Sequence, residues 1–260
     1  MIKTALLALS LFVTLRIVAQ QDTLRSGVYS WSKAKVQTGK MQQRKVLQGS
    51  TLDLAEIEIH TSTLLPGESN HPLKANMEGE ELMIIKEGNV RATVENQTKM
   101  LGPGGLVLLL AGDKQSFTNT SDKPVTYYVI VFKSKDGLDK ARGKAGGGSF
   151  MKDWSEFEVR QTKIGESRPV FDRPSGMFKR FDVHATALNP GNASHPPHTH
   201  RAEEIILILK GNTAEQIGET FHPATAGDVI LLNSKVPHAI KNTGNTQCGY
   251  FAIQWHSNAE

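Results

Sequence analysis

The chain consists largely of short apolar or alternating segments that are separated by Gly, Pro and Asn. Examples are LAEIEIHTSTL (54–64), GLVLLL (105–110), TYYVIVF (126–132), IILILK (205–210) and DVILLN (228–233). Short segments of this kind, bounded by turn residues, are typical of β-strands, and many of them in one chain favour a β-sandwich or β-barrel. The pattern therefore predicts an all-β fold with few, short helices.

The second half of the chain repeats the first half. A shift of 123 positions superimposes Glu81 on Glu204, Gly88 on Gly211, Gly104 on Gly227 and Asn119 on Asn242. Upstream, HTSTLLPGESNHP (60–72) matches HATALNPGNASHP (184–196) at a shift of 124, so the first copy has one extra residue before Glu81. Self-similarity over this length indicates two copies of one domain.

The second copy contains four candidate metal ligands, which are His198, His200, Glu204 and His238. His198 and His200 are two positions apart and therefore point to the same face of an extended strand, while Glu204 and His238 arrive from neighbouring strands. Three imidazoles and one carboxylate suit Mn, Fe, Ni, Cu or Zn better than Ca or Mg, which prefer oxygen ligands. Four protein ligands leave a position free on a five- or six-coordinate ion, as catalysis requires.

The same residues resemble the two signature motifs of the cupin superfamily. The first motif is matched by His198, His200, Glu204 and Gly211, and the second by Gly227, His238 and Asn242. In the turn of the second motif the family often has Pro-x-Gly, whereas this chain has Asn-Ser-Lys at 233–235. The resemblance implies a bicupin, with two tandem double-stranded β-helix (jelly-roll) barrels.

The first copy lacks most of the ligand set. Depending on where its extra residue lies, His198 and His200 correspond to Lys74 and Asn76 or to Ala75 and Met77, while His238 corresponds to Gln115. Only the carboxylate of Glu81 remains, which makes a poor divalent site. We therefore expect one divalent transition metal per chain, in the C-terminal barrel. The first barrel is expected to be structural, with an organic ligand in its pocket as the alternative.

The composition and the N-terminus indicate an exported globular protein. The first residues, MIKTALLALSLFVTLRIVAQQ, combine a cationic start, an apolar core and a small residue near position 19, as secretory signal peptides do. Removing this leader lowers the formal net charge from +4 to +2, and no basic stripe among aromatics supports nucleic-acid binding. We expect a secreted or periplasmic protein without a membrane anchor after cleavage, and the sequence leaves a homo-oligomer open.

These observations divide the chain into four segments. Residues 1–20 are the predicted signal peptide, 21–132 the degenerate N-terminal barrel, 133–153 a linker, and 154–260 the metal-binding C-terminal barrel. The linker is rich in Gly, Lys and Ser, which predicts partial flexibility.

Two functions from different classes follow from the resemblance. The first is a metalloenzyme acting on a small oxygen-rich molecule (a carboxylic acid, sugar derivative or phenolic), because cupin metal sites serve oxalate decarboxylases and oxidases, dioxygenases and sugar isomerases. The second is a non-catalytic exported protein that binds a small ligand and has a structural metal. Ureidoglycine aminohydrolases also have metal in the C-terminal half of a bicupin, but in a Glu-x-His, three residues, His order that this chain lacks. No sequence motif names a general acid or base.

Overall fold

The computed structural model describes residues 23–39 and 41–260. Strands account for 55% of these described residues and helices for 4%, which confirms the all-β prediction. The predicted signal peptide lies outside the described residues. Within them, no helix is long and apolar enough to cross a membrane.

Each half of the chain contributes one set of strands in the same order. The first half contains β1 (Gly27–Tyr29), β2 (Val36–Thr38), β3 (Gln42–Gly49), β4 (Leu54–Leu64), β5 (Lys74–Ala75), β6 (Glu80–Glu87), β7 (Val90–Val94), β8 (Gln97–Leu101), β9 (Leu106–Leu109), β10 (Lys114–Thr118) and β11 (Val125–Ser134). The second half contains β12 (Phe150–Lys152), β13 (Arg160–Thr162), β14 (Gly165–Arg173), β15 (Arg180–Leu188), β16 (Glu203–Lys210), β17 (Asn212–Ile217), β18 (Thr220–Thr225), β19 (Val229–Leu232), β20 (His238–Asn242) and β21 (Cys248–His256). The described residues also contain two short helices. The α-helix α1 (Lys140–Ala145) lies between β11 and β12, and a 3-10 helix (Trp154–Glu156) lies between β12 and β13.

Each barrel is built from a seven-stranded sheet and a smaller one. The N-terminal barrel has the strand order β12-β9-β6-β11-β4-β3-β2 and a second sheet β5-β10-β7-β8. The C-terminal barrel has the order β1-β19-β16-β21-β15-β14-β13 and a second sheet β18-β17-β20. The equal order of equivalent strands confirms the duplicated, tandem jelly-roll architecture predicted from the repeat.

The two barrels exchange their first strands. β1 belongs to the first half of the sequence but pairs with β19 of the C-terminal barrel, with Val28 opposite Ile230. Conversely, β12 pairs with β9 of the N-terminal barrel, with Met151 opposite Val107. The predicted linker 133–153 therefore contains the end of β11, helix α1 and a paired strand, contrary to the flexibility expected from its composition. The domain boundaries themselves stay a prediction, because the exchanged strands belong to one half by sequence and to the other by pairing.

The faces of β16 show how the fold positions the site. Successive side chains of a strand point to opposite sides of the sheet. Ile205 and Leu207 lie in the apolar core between the two barrels, whereas Ile206 and Ile208 lie in the core inside the C-terminal barrel. Because both faces are buried, the strand has a continuous apolar sequence. The same alternation directs Glu204 into the barrel.

Aromatic side chains fill the core between the barrels. Phe132 of the N-terminal barrel lies 5.4 Å from Phe178, 5.3 Å from Phe181 and 5.7 Å from Trp255, measured between ring centroids. All four side chains are buried. Edge-to-face and tilted aromatic pairs at these distances add to the stabilisation from apolar burial.

Two buried glutamates bind the barrels to each other reciprocally. Glu203 of the C-terminal barrel accepts a hydrogen bond from the Thr51 hydroxyl at 2.6 Å and another from the backbone N–H of Asp53 at 3.1 Å. Glu80, the equivalent residue of the N-terminal barrel, accepts one from the Ser175 hydroxyl at 2.7 Å. Both glutamates are fully buried. Each carboxyl thus satisfies donors in a loop of the opposite barrel.

Candidate metal centre

The predicted ligands lie at the inner surface of the C-terminal barrel. Glu204 belongs to β16, and His238 begins β20. The loop that precedes β16 is fixed to β20, because the backbone N–H of His198 donates to His238 O at 3.2 Å and the N–H of His238 donates to His198 O at 3.0 Å. This pair of backbone hydrogen bonds places the HxH segment beside the third histidine.

The three imidazoles converge on one point. One ring nitrogen each from His198, His200 and His238 lies within 4.8 Å of the other two. Glu204 is outside this mutual set, but its Oε2 lies 3.2 Å from His200 Nε2 and 3.4 Å from His238 Nε2. The structure therefore brings the three histidines together and places the carboxylate against two of them. His238 is buried, His200 is half-buried and His198 is exposed, so the cluster opens to solvent at His198.

The tautomers of two rings leave electron pairs free for a cation. His200 Nδ1 lies 2.8 Å from Ala202 O, and His238 Nδ1 lies 2.8 Å from Val236 O. A carbonyl oxygen can only accept, so Nδ1 carries the proton in each ring and Nε2 of the neutral ring has a lone pair. Nε2 of His238 is buried and makes no hydrogen bond of normal geometry to any described residue, although Glu204 Oε2 lies 3.4 Å away. An orphaned, buried imidazole nitrogen inside a His and Glu cluster fits a transition metal, with the carbonyls as supporting partners.

The electrostatics of the cluster keep the carboxylate ionised. Burial opposes ionisation of Glu204, but the adjacent imidazoles of His200 and His238 lower its pKa to about 2. The hydrogen bond to Glu204 in turn raises the pKa of His200. Burial and the neighbouring histidines lower the pKa of His198, first among them His195. In the absence of a cation, protons thus compete for the same nitrogens that a metal would use.

The cluster opens into a cavity of about 370 Å³ inside the C-terminal barrel. Tyr250 and Gln254 line this cavity, whereas Gln216, another polar residue of the second half, lines a separate surface groove. The Gln254 amide donates to Glu204 Oε2 at 3.2 Å and lies 3.3 Å from His200 Nε2. It therefore helps to fix the orientation of the carboxylate.

The cavity contains a buried acid that the sequence motifs do not identify. Glu215 on β17 is buried and lines the cavity together with His198, Glu204 and His238. The repeat could have identified this residue, because a shift of 123 superimposes Glu215 on Ala92, which is not acidic. An acid that replaces a buried alanine in only one of two copies indicates a role beyond the fold.

The equivalent position in the N-terminal barrel has different chemistry. Lys74 pairs with Gln115 in the register in which His198 pairs with His238, so Lys74 corresponds to His198 and Asn76 to His200. The Asn76 amide donates to Glu81 Oε1 at 3.0 Å, where the other barrel has an imidazole against a carboxylate. Among residues 23–39 and 41–260, no second group of three His, Cys, Asp or Glu converges as the histidine cluster does.

Comparisons with known proteins agree with the architecture. The chain is 24% identical over 96 residues to (S)-ureidoglycine aminohydrolase of Arabidopsis thaliana, covering 33% of this chain and 32% of that protein. It is 33% identical over 78 residues to an oxalate-binding protein of Thermotoga maritima, covering 30% of this chain and 64% of that protein. The matched regions thus span about a third and just under two thirds of the lengths of these relatives.

A solved structure and a family model extend the likeness to both halves. The formate complex of oxalate decarboxylase from Lactobacillus farciminis superimposes with a TM-score of 0.68 at 13% sequence identity, covering 91% of this chain and 88% of that one. The model of the cupin domain matches residues 60–131 and 185–254, which together are more than half of the chain. The chain therefore belongs to the cupin family, with one cupin domain in each half.

Proposed function

We propose that the C-terminal barrel is a metal-dependent catalytic site for a small oxygen-rich molecule. The observation that carries this proposal is the buried, unpartnered Nε2 of His238 within a cluster of three imidazoles and a carboxylate. A site that held no cation would leave this nitrogen with only the long contact of 3.4 Å to Glu204 Oε2, which is costly in a buried position. The ligand types support an open catalytic centre, because closed structural sites commonly use four ligands including Cys.

The ion would be held by His198, His200, Glu204 and His238. This ligand set suits Mn, Fe, Ni, Cu or Zn. When bound, such an ion supplies a Lewis acid or an oxygen-activating centre. The protein contributes orientation, since backbone carbonyls fix the rings of His200 and His238, and the Gln254 amide fixes Glu204.

The lining of the cavity indicates the charge of its ligand. None of the described residues that line it is Lys or Arg, and Glu166 and Glu215 line it besides Glu204. Its hydroxyl and amide side chains are those of Thr162, Ser167, Thr186, Ser194, Tyr250 and Gln254. The carboxylate of Glu204 offsets part of the charge of a divalent cation. This balance favours a neutral or singly charged ligand with several oxygens, such as a hydroxy acid, a sugar derivative or a phenol, over a dianion.

The alternative function is binding without catalysis. The relative from Thermotoga maritima is named for binding oxalate and not for a reaction, and it is the more identical of the two relatives reported above. In that case the metal would order the barrel or hold a ligand. The two functions differ in whether a coordination position exchanges rapidly with solvent and added ligands.

A ligand titration separates these functions. Azide, acetate, a small hydroxy acid and oxalate are added to the manganese- or cobalt-loaded protein, and electron paramagnetic resonance or visible absorption is recorded. The catalytic proposal expects spectral changes with several of them, with the hydroxy acid and acetate binding more tightly than oxalate. A spectrum that none of them changes would indicate a saturated structural site and favour the alternative.

Export completes the proposal. The leader supports a secreted or periplasmic protein. The proposed partner is a small molecule, and we propose no nucleic-acid role. Assembly into a homo-oligomer is compatible with this function.

A further inference from the structure

Glu215 lies in the middle of β17, where β18 and β20 flank it. His222 is its neighbour on β18 and Ile240 its neighbour on β20. The side chain is 1% exposed and faces the cavity that Glu204 and His238 also line. It is therefore a second buried carboxyl of the cavity, from a different sheet than Glu204.

The carboxyl of Glu215 is poorly satisfied by the protein around it. Neither Oε1 nor Oε2 makes a hydrogen bond of normal geometry to any described residue. Burial and then the nearby Glu204 carboxylate raise the pKa of Glu215 to about 8, although the backbone of Ala239 lowers it. In the metal-free protein, neutral pH therefore leaves a protonated carboxyl that lines the cavity, with one O–H to donate.

The duplicated barrel shows that the fold does not require this acid. The equivalent residue of the N-terminal barrel is Ala92 on β7, which is fully buried. Ala92 pairs with Phe117 on β10, just as Glu215 pairs with Ile240 on β20. The carboxyl occurs only in the barrel that has the three-histidine cluster, so the two features belong together.

We propose that Glu215 is a catalytic residue that contacts the molecule bound at the histidine cluster and passes a proton to it. This inference rests on the proposed function of the C-terminal barrel. In the step, the O–H bond of the carboxyl breaks, its electron pair stays on the Glu215 oxygen, and the proton forms a new bond to an oxygen or nitrogen of the ligand. The new bond uses a lone pair of that ligand atom, and after the product has left with the proton, the Glu215 carboxylate takes up another proton from solvent water.

The test compares Glu215→Ala, Glu215→Gln and the control Gln216→Ala with the wild-type protein. Gln216 is the next residue of β17 but does not line the cavity. Each protein is loaded with cobalt, its metal content is measured, and acetate is titrated against its visible absorption. Infrared difference spectra between the wild type and Glu215→Gln identify the band of the protonated carboxyl, with and without acetate.

We expect all four proteins to retain the metal. Acetate affinity should fall roughly tenfold or more in Glu215→Ala, because a hydrogen bond to a charged group is lost, and less in Glu215→Gln, whose amide still donates. Gln216→Ala should bind acetate like the wild type. The carboxyl band, absent in Glu215→Gln, should shift when acetate binds to the wild type.

Four results would overturn the inference, each in a recognisable way. Unchanged acetate affinity in Glu215→Ala, or an unshifted carboxyl band, would show that Glu215 does not contact the ligand. Loss of metal from Glu215→Ala and Glu215→Gln but not from the control would make Glu215 a metal ligand instead. A wild-type protein that binds no metal would contradict the proposed function first, and the inference with it.

Discussion

The reciprocal glutamates between the barrels make a quantitative prediction for Glu203→Gln. The carboxyl of Glu203 accepts four hydrogen bonds, from Thr51 Oγ1 at 2.6 Å, Leu52 N at 3.1 Å, Asp53 N at 3.1 Å and Trp255 Nε1 at 3.3 Å. Oε1 accepts from Leu52 alone, and Oε2 accepts the other three. An amide has only one oxygen, so its NH2 group must face at least one of these donors.

The cost follows from counting those donors. In the least damaging orientation, the amide turns NH2 toward Leu52 and leaves the partly buried N–H of Leu52 without its acceptor, which costs at most about 1–3 kcal/mol. The remaining bonds lose the strength that a carboxylate gives them. We therefore expect the free energy of unfolding to fall by about 3 kcal/mol. Glu80→Gln should cost a similar amount, because Glu80 binds the equivalent loop of the other barrel.

Urea unfolding of the metal-free proteins, followed by tryptophan fluorescence and far-UV circular dichroism, measures this cost. A loss of this size lowers the urea midpoint by about 1 M for a typical slope. Glu219→Gln is the control, since Glu219 is exposed and surface substitutions usually change stability by less than about 0.5 kcal/mol. If Glu203→Gln and Glu80→Gln both behave like this control, the glutamates do not hold the barrels together.

Two further predictions concern the cavity and the leader. Because the pKa of Glu215 is raised from 4.5 to about 8, the folded metal-free protein holds a proton that the unfolded chain loses between these pH values. The stability of the wild type should fall as pH rises through this window relative to Glu215→Gln, by at most about 4 kcal/mol; an equal difference in urea unfolding at pH 5 and pH 8 would contradict this. The exported protein should begin near Gln20 or Gln21, and N-terminal sequencing that finds Met1 on a cytoplasmic protein would refute export.

Sequence patterns were sufficient for the fold because the strands and their turns leave strong local signals. The apolar segment 205–208 is buried on both faces. The motif glycine Gly211 has a positive φ of 82°, with Cys248 Cα and Cβ within 3 Å of where its own Cβ would lie. No other residue fits such a turn without strain. The repeat then required two domains of the same kind.

The exchange of β1 and β12 left no comparable signal. Each has only three residues, GVY and FMK, and its partner strand lies far away along the chain. The regular structure of the predicted linker, residues 133–153, also depends on tertiary contacts. Arg142 of α1, for example, donates to the backbone oxygens of Ser175 and Gly176 in the other half. Such contacts cannot be inferred from Gly and Lys content.

The sequence predicted those residues of the candidate site whose type and spacing are characteristic of metal ligands. The separation of His198, His200, Glu204 and His238 predicted a cluster, and the structure brings the three imidazoles together with the carboxylate beside two of them. Glu215 was missed because one acid within a strand has no distinctive spacing. Only its burial beside the cluster and the alanine at the equivalent position distinguish it from a surface glutamate.

Metal analysis of the purified mature protein tests the central claim most directly. The wild type and Gln115→Ala should each retain one transition metal per chain by inductively coupled plasma mass spectrometry, whereas His200→Ala and His238→Ala should retain none. Loss of an ion present at about 1,000 times its dissociation constant should also cost roughly 4 kcal/mol of stability. Two metals per chain, or undiminished metal in His200→Ala and His238→Ala, would contradict a single metal centre in the C-terminal barrel.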